Sequence, residues 1–366
     1  MPLIDALPPG PLDIVGDVHG EHAALEALLD HLGYRADGRH PQGRRLVFVG
    51  DLCDRGPDSP AVIDRVRGLV RDGGARAVLG NHELNLLNGQ RKDGNDWFWG
   101  EGRARDRKYG AVATLPASGR AGVLGFLRGL PLALERPDLR IVHAAWHPAS
   151  IDALRALPAG TAPDAAFDRW DAEAHARIRE RALDAAEAGE RARWEPVWSD
   201  ASRPVPFLPA VAEANLLRQM ANPVRVVVAG TERPSDAPFY TSGQWRFVQR
   251  MRWWDGYDDA PAVVVGHYWR RLRPAPQPAH ASHGTGDADL FDAIGPQAWH
   301  GLRGNVFCVD FSVGGRYRDR QGRPAHGPGA TPADSHLAAL RWPERLLALD
   351  DGRVLPTMGY GLPGRA

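Results

Sequence analysis

Side chains able to bind a divalent cation or to move a proton stand at the ends of several short apolar runs in this chain. Asp13-Ile14-Val15 closes on Gly16-Asp17-Val18-His19-Gly20, and Leu46-Val47-Phe48-Val49 closes on Gly50-Asp51-Leu52-Cys53-Asp54-Arg55-Gly56. Ala77-Val78-Leu79 closes on Gly80-Asn81-His82-Glu83, and the runs at 139–142 and 262–266 lead into His143 and His267. A β-branched run that stops abruptly at Gly-Asp suits a strand covered on both faces. In open α/β sheets, ligands gather outside the carboxyl ends of such strands. A single loop of this kind is accounted for by turn geometry, where Asp and Gly serve the backbone. Recurrence changes the reading: five strand ends direct two Asp, one Asn and several His toward one rim. Carboxylate and amide oxygens with imidazole nitrogens, and no thiolate, form a donor set for hard-to-borderline divalent ions.

The elements that would hold these residues follow a βα rhythm. After Gly20, residues Leu25, Leu28, Leu29 and Leu32 fall at helical spacing and Gly33 supplies a stop. After Pro57, Ser59 offers a cap, Pro60 suits a first helical position, and Val62, Ile63, Val66, Leu69 and Val70 make a buried face. Residues 88–109 turn polar, aromatic and basic, with Trp97, Phe98 and Trp99, and read equally as a substrate-facing lid or as a packed surface loop. His147 reads as an ordinary loop histidine ahead of a substrate contact. Residues 151–220, rich in Ala, Arg, Glu and Asp, predict a helical insertion that could cap the site, and residues 224–230 predict a return to the sheet. Residues 274–296, with His280 and His283, read as a loop.

The motifs at Gly16–Gly20, Gly50–Gly56 and Gly80–Glu83 together resemble the signatures of calcineurin-like metallophosphoesterases of the phosphoprotein phosphatase branch, including bacterial relatives associated with dinucleoside tetraphosphates. His143 and His267 are similar to that family's two later histidines. The resemblance implies an α/β fold, a metallophosphoesterase-like αββα sandwich of two mixed sheets with flanking helices. Its expected organisation is one domain over 1–320, with 151–220 as the insertion and 321–366 as a C-terminal extension. It further implies two divalent metal ions, Mn2+ foremost, with Fe, Zn, Ni, Co or Mg as alternatives. Asp17 and His19 would hold one ion and Asn81, His143 and His267 the other, with Asp51 bridging. Arg55 would clamp phosphate, His82 would be the general acid and Asp54 would orient it. Asn81 and one of Arg246, Arg250 and Arg252, with Arg252 foremost, would touch substrate. The implied activity is phosphoester hydrolysis on phosphoprotein-like substrates, with symmetrical dinucleoside-tetraphosphate hydrolysis as the alternative and an inert metal-binding interaction module as a third reading.

Composition bounds the partners. The 366 residues carry 45 basic and 45 acidic side chains, so no bulk attraction to nucleic acid or to an anionic membrane is expected, and anion binding must come from local groups. The two cysteines, Cys53 and Cys308, imply no disulfide framework. Cys53 reads as a small buried residue rather than a ligand. The first ten residues lack a basic start and an apolar run, so a reducing cytoplasm is the expected compartment. The positive charge is nearly all arginine, which points to a bacterial source.

Overall fold

The computed structural model describes residues 2–241, 243–272, 290–320 and 335–362. In chain order its strands are β1 (Ile4–Ala6), β2 (Leu12–Val15), β3 (Arg45–Phe48), β4 (Ala75–Ala77), β5 (Ala133–Arg136) and β6 (Leu139–Val142). There follow β7 (Glu232–Thr241), β8 (Gln244–Arg250), β9 (Ala262–Val265), β10 (Val306–Cys308), β11 (Ala338–Trp342), β12 (Leu346–Leu349) and β13 (Val354–Pro356). The helices are α1 (His22–Leu32), α2 (Ser59–Arg71), α3 (Asn81–Leu87), α4 (Asp96–Trp99), α5 (Arg120–Arg128) and α6 (Pro148–Arg155). After them come α7 (Pro163–Glu180), α8 (Leu183–Trp194), α9 (Pro209–Met220), α10 (Pro223–Ala229) and α11 (Tyr317–Arg320).

Two mixed sheets carry the site. One has the order β13-β12-β11-β2-β3-β4, the other β1-β5-β6-β9-β10, and β7 with β8 forms a separate hairpin. Leu12, Ile14, Val47 and Val49 of the first sheet pack with Leu139, Ile141 and Val264 of the second in one buried cluster. The alternate residues Val15, Leu46 and Phe48 join the helix-facing core with Leu25, Leu28 and Val62. Strands with apolar side chains on both faces must be covered on both, which yields helix, sheet, sheet and helix in layers. No described helix is long and apolar enough to cross a membrane.

Three expectations change. Residues 224–230, expected to return to the sheet, instead form most of helix α10 (Pro223–Ala229) and its C-cap Gly230. Asn222 caps α10 by accepting from the backbone N–H of Val224 and Arg225, and Pro223 opens the helix, so a cap and a pre-set φ override a β-branched run. The first turn of α2 is capped by Asp58, which accepts from Ala61 N–H at 2.9 Å, and Ser59 Oγ instead accepts from Asp54 N–H at 2.9 Å. The expected extension from residue 321 supplies the middle of a sheet: β11 pairs antiparallel with β2 (Leu340 opposite Ile14) and with β12. Arg44 and Arg341 fasten that seam by donating to opposite oxygens of the buried Asp13 carboxylate. His280 and His283 lie outside the described residues.

Within 151–220, α7, α8 and α9 stack on one another, and a satellite core of Val197, Leu208, Val211, Trp245 and Phe247 joins them to the hairpin. The buried carboxylate of Glu187 takes hydrogen bonds from Arg191 and Arg218. Although burial acts in the opposite direction, these two arginines pull its pKa below the ordinary 4.5.

Leu340→Ala, in the inter-sheet cluster, is expected to lower stability by about 2–5 kcal/mol in a denaturant titration. Because the folded pKa of Glu187 is depressed, its stabilisation is full above the ordinary value and is lost as pH falls through the lower one. Glu187→Gln should therefore lower the melting temperature at pH 7, and the difference from the parent protein should shrink as the pH drops below 4.5.

Candidate metal centre

The strand ends converge between the two sheets. Asp17 and His19 follow β2, Asp51, Asp54 and Arg55 follow β3, Asn81 and His82 open α3 after β4, His143 follows β6 and His267 follows β9. Sharp reversals place them: φ is 47° at His19, 49° at Asp51, 75° at Asp54, 69° at Arg55 and 70° at His267, all left-handed and unfavourable for residues with a Cβ. Close packing of the loops explains two glycines. A Cβ on Gly80 would stand 2.3 Å from Asp51 N, and one on Gly266 would stand 2.0 Å from Asp17 Oδ1.

Asp51 lies at the centre. Its Oδ1 is 3.3 Å from His143 Nε2, and its Oδ2 is 3.7 Å from His19 Nε2 and 3.8 Å from His82 Nε2. Two donor groups follow, His19 with Asp51 and His82, and Asp51 with His143 and His267, the donor atoms of each lying within 4.8 Å of one another. Asn81 Oδ1 is 2.8 Å from His267 Nδ1 and 3.2 Å from His143 Nε2. Asp17 stands next to this set, 3.9 Å from His19 Nε2, and its carboxylate accepts from His267 N–H at 3.1 and 3.2 Å.

The ring nitrogens on the outer side of the site are held by backbone carbonyls. His19 Nδ1–H donates to Cys53 O (3.1 Å) and His143 Nδ1–H donates to Val49 O (2.8 Å), which turns each Nε2 lone pair inward. Such fixed tautomers suit metal ligation, which uses neutral imidazole. Burial, aided by Arg55, pushes His19 well below the usual imidazole pKa, and burial, aided by Arg250, does the same to His267. His267 Nε2 is buried with no hydrogen-bond partner among the described residues.

The carboxylates diverge. Burial, then Asp310 and Asp51, push Asp17 well above its usual pKa, while the imidazoles of His143 and His82 overcome burial and hold Asp51 well below. Asp17, Asp51, Glu83 and Asp310 are all at most 2% exposed. So many buried carboxylates in one region, with imidazole nitrogens beside them, form a donor set that fits divalent cations.

A second arrangement adjoins the first. Trp97 Nε1–H donates to Asp54 Oδ1 (2.6 Å), and His82 Nδ1–H donates to Asp54 Oδ2 (2.5 Å), which leaves His82 Nε2 facing the site. Arg55 donates to His82 Nε2 and to His19 Nε2, each at 3.1 Å, and its guanidinium lies 4.7 Å from the ring centre of Trp269.

Arg252 Nε is 3.6 Å from Asp255, and its charge is felt at His300. Arg250, two residues earlier, is the arginine whose charge reaches His267. His147 serves as the N-cap of α6, with Nδ1 accepting from Ser150. The aromatic stretch at 88–109 is neither purely lid nor purely surface, since Trp97 is buried behind Asp54. Glu83, Asp310, Trp97 and Trp269 escaped sequence reasoning. Asp310 alone carried the usable signal, since Val306-Phe307-Cys308-Val309 closes on it just as other runs close on Asp17 and Asp51. Glu83 accepts from the backbone N–H of Gly80, Asp51 and Leu52 at 2.8–3.0 Å and from Cys53 Sγ at 3.2 Å.

Glu83→Ala would strip several buried N–H groups of their acceptor, at about 1–3 kcal/mol each. The expected result is a lower melting temperature together with weaker uptake of manganese by calorimetry, whereas unchanged metal affinity would remove Glu83 from its positioning role.

Residues 10–172 match the calcineurin-like phosphoesterase family. Over 73 residues the chain is 52% identical to the asymmetrical bis(5'-nucleosyl)-tetraphosphatase PrpE of Halalkalibacterium halodurans, covering 19% of this chain and 30% of that protein. Over 137 residues it is 39% identical to the symmetrical bis(5'-nucleosyl)-tetraphosphatase of Janthinobacterium sp. (strain Marseille), covering 37% of this chain and 43% of that protein. The chain thus spans less than half the length of either relative. A solved cold-active protein-tyrosine phosphatase from a psychrophilic Shewanella aligns with 98% of this chain and 83% of its own at 17% identity and a TM-score of 0.44. Residues 10–172, where four of the five converging strand ends lie, are thus the part of this chain that is similar to the calcineurin-like phosphoesterases.

Proposed function

We propose that this protein hydrolyses phosphoric esters and anhydrides, with dinucleoside polyphosphates as its substrate class. The observation that carries the reading is Asp51, whose two oxygens face separate groups of imidazoles beside the His82–Asp54 pair. Asp17, His19 and Asp51 would hold one divalent cation, and Asp51, Asn81, His143 and His267 the other, with manganese the first ion to try. Such ions, when bound, neutralise phosphoryl oxygens and make a water more acidic.

The remaining work falls to the chain itself. Arg55 offers a planar fork of donors to two non-bridging oxygens, and Trp269 keeps the guanidinium from swinging away. With Arg55 turned from His82 Nε2 to the phosphoryl oxygens, His82 in its protonated form would give the Nε2 proton to the departing oxygen, while Asp54 accepts from Nδ1–H and stabilises the charged ring. Trp97 fixes the free oxygen of Asp54 so that the carboxylate cannot rotate off His82. Arg250, whose charge bears on His267, would take the role of second phosphate arginine in place of Arg252.

The names carried by the two relatives support dinucleoside tetraphosphates ahead of phosphoproteins, reversing the order expected from the motifs alone. An inert metal-binding module would have no use for an oriented acid beside a guanidinium clamp.

Incubating the manganese-loaded protein with diadenosine tetraphosphate and with phosphopeptides should give the higher kcat/KM on the dinucleotide, with products (two ADP, or ATP and AMP) identifying the bond cut. A higher kcat/KM on phosphopeptides would reverse the substrate assignment, and no metal-dependent turnover of any phosphate ester would leave only the binding module. Asp51→Asn should lose metal and turnover together. His82→Asn should keep its metal content and lose about 10²–10⁴-fold in kcat.

A further inference from the structure

The tryptophan at the edge of the metal centre carries two cations. Trp269 follows β9 with φ at 53°, its N–H donates to the buried Asp310 carboxylate at 2.8 Å, and its ring centre lies 6.3 Å from that of His19. The Arg55 guanidinium stands 4.7 Å from the Trp269 ring centre, and the Arg318 guanidinium stands 5.7 Å from the same point. Both lie within the range at which a ring quadrupole attracts a cation. Arg318 differs from the arginines on either side of it. Arg316 pairs with Asp350 and Arg320 with Glu21, whereas Arg318 Nε donates to Tyr317 Oη at 3.3 Å. Among the described residues neither Arg318 nor Arg55 pairs with a carboxylate.

The segment that carries Arg318 is packed on the centre. A Cβ on Gly314 would stand 2.4 Å from His19 Cδ2, so the turn before α11 lies directly against a candidate ligand ring. Tyr317 meets Tyr109 edge-on, with ring centres 4.6 Å apart. Tyr109 closes the 88–109 stretch, in which Gly94 O accepts from Arg55 N–H at 3.2 Å. Arg55 and Arg318 thus share one ring and one supporting loop, the first half-buried beside the candidate ligands and the second exposed to solvent.

Two like charges on one ring repel each other, and the protein supplies neither with a carboxylate. A phosphomonoester presents one phosphoryl group, which the centre and Arg55 already accommodate. A polyphosphate chain carries negative charge past the bond being cut and can reach the second guanidinium as well. We propose that Arg318 is a specificity-determining residue: while Arg55 holds the phosphoryl group under attack, Arg318 takes a phosphate further along the chain, and so favours dinucleoside polyphosphates over phosphomonoesters. The assignment rests on the substrate class proposed above.

The test uses the manganese-loaded full chain and two substrates, diadenosine tetraphosphate and p-nitrophenyl phosphate. Arg318→Ala is expected to raise KM for the dinucleotide about three- to ten-fold, the effect of one exposed charge-assisted contact, with kcat/KM on the aryl phosphate within about two-fold of the parent. Arg318→Lys should recover part of the loss, since it keeps the charge and gives up the planar fork, and Arg318→Glu should lose more than Arg318→Ala. Added salt should raise the parent's KM for the dinucleotide more steeply than that of Arg318→Ala, because screening weakens an exposed ionic contact. If the parent turns over the dinucleotide and Arg318→Ala leaves its KM unchanged, or weakens both substrates alike, Arg318 only packs on Trp269, and the substrate class stands without it. If the parent does not turn over the dinucleotide, the substrate class and the role of Arg318 fall together.

Discussion

One enclosed carboxylate holds the metal centre in shape. Glu83 is fully buried, and its oxygens collect the amide hydrogens of the loop after β3 and of the residue before α3. That loop has three non-glycine residues, Asp51, Asp54 and Arg55, in left-handed conformations, each costing roughly 1–3 kcal/mol unless the surroundings enforce it. The grip is mutual, because Asp51 Oδ1 accepts from His82 N–H at 3.0 Å. The loop and the helix start therefore define each other, and Asp51, Asp54, Arg55, Asn81 and His82 are positioned as one unit.

The rest of the site is a managed electrostatic conflict. Between two apolar sheets the chain encloses Asp17, Asp51 and Asp310; burial first, and then the nearness of their negative charges, raises the cost of ionising Asp17 and Asp310. Backbone N–H groups relieve part of this: His267 donates to Asp17, and Trp269 and Ser312 donate to Asp310. Burial of like charges without a counter-ion is expensive, so a bound cation would both enable chemistry and stabilise the folded chain. The neutral state enforced on His19 and His267 works in the same direction, since protons and metal compete for the same lone pairs.

The residues of the centre were legible because each sits where an apolar run meets glycine and a polar side chain, a local signal that survives without knowledge of the fold. The two-sheet sandwich followed from the resemblance of those same motifs. What could not be read depended on long-range packing or on competition between local rules. Residues 224–229 carry strand-forming valines, yet Asn222 and Pro223 start a helix. Arg246, Arg250 and Arg252 look alike in one dimension, and only the pleat and turn of β8 send Arg250 to His267 and Arg252 to Asp255. Trp97 gave no sign of its bond to Asp54, 43 positions earlier, because a tryptophan among aromatics packs in many ways. The short strands near the C-terminus were masked by a Gly- and Pro-rich stretch before them.

The seam between β2 and β11 has a consequence for biosynthesis. Leu12, Asp13, Ile14 and Val15 find their antiparallel neighbours at residues 339–342, so one edge of the strand that leads to Asp17 and His19 has no native neighbour until those residues have been made. At ~5–20 residues per second, ribosomal synthesis would leave that edge open for about 15–60 s. During that interval an apolar, hydrogen-bond-hungry ribbon is exposed to other nascent chains. β11 and β12 thus act as a clasp, and a ribosome that stops before them releases a chain that has every candidate ligand but lacks the strands that complete their sheet.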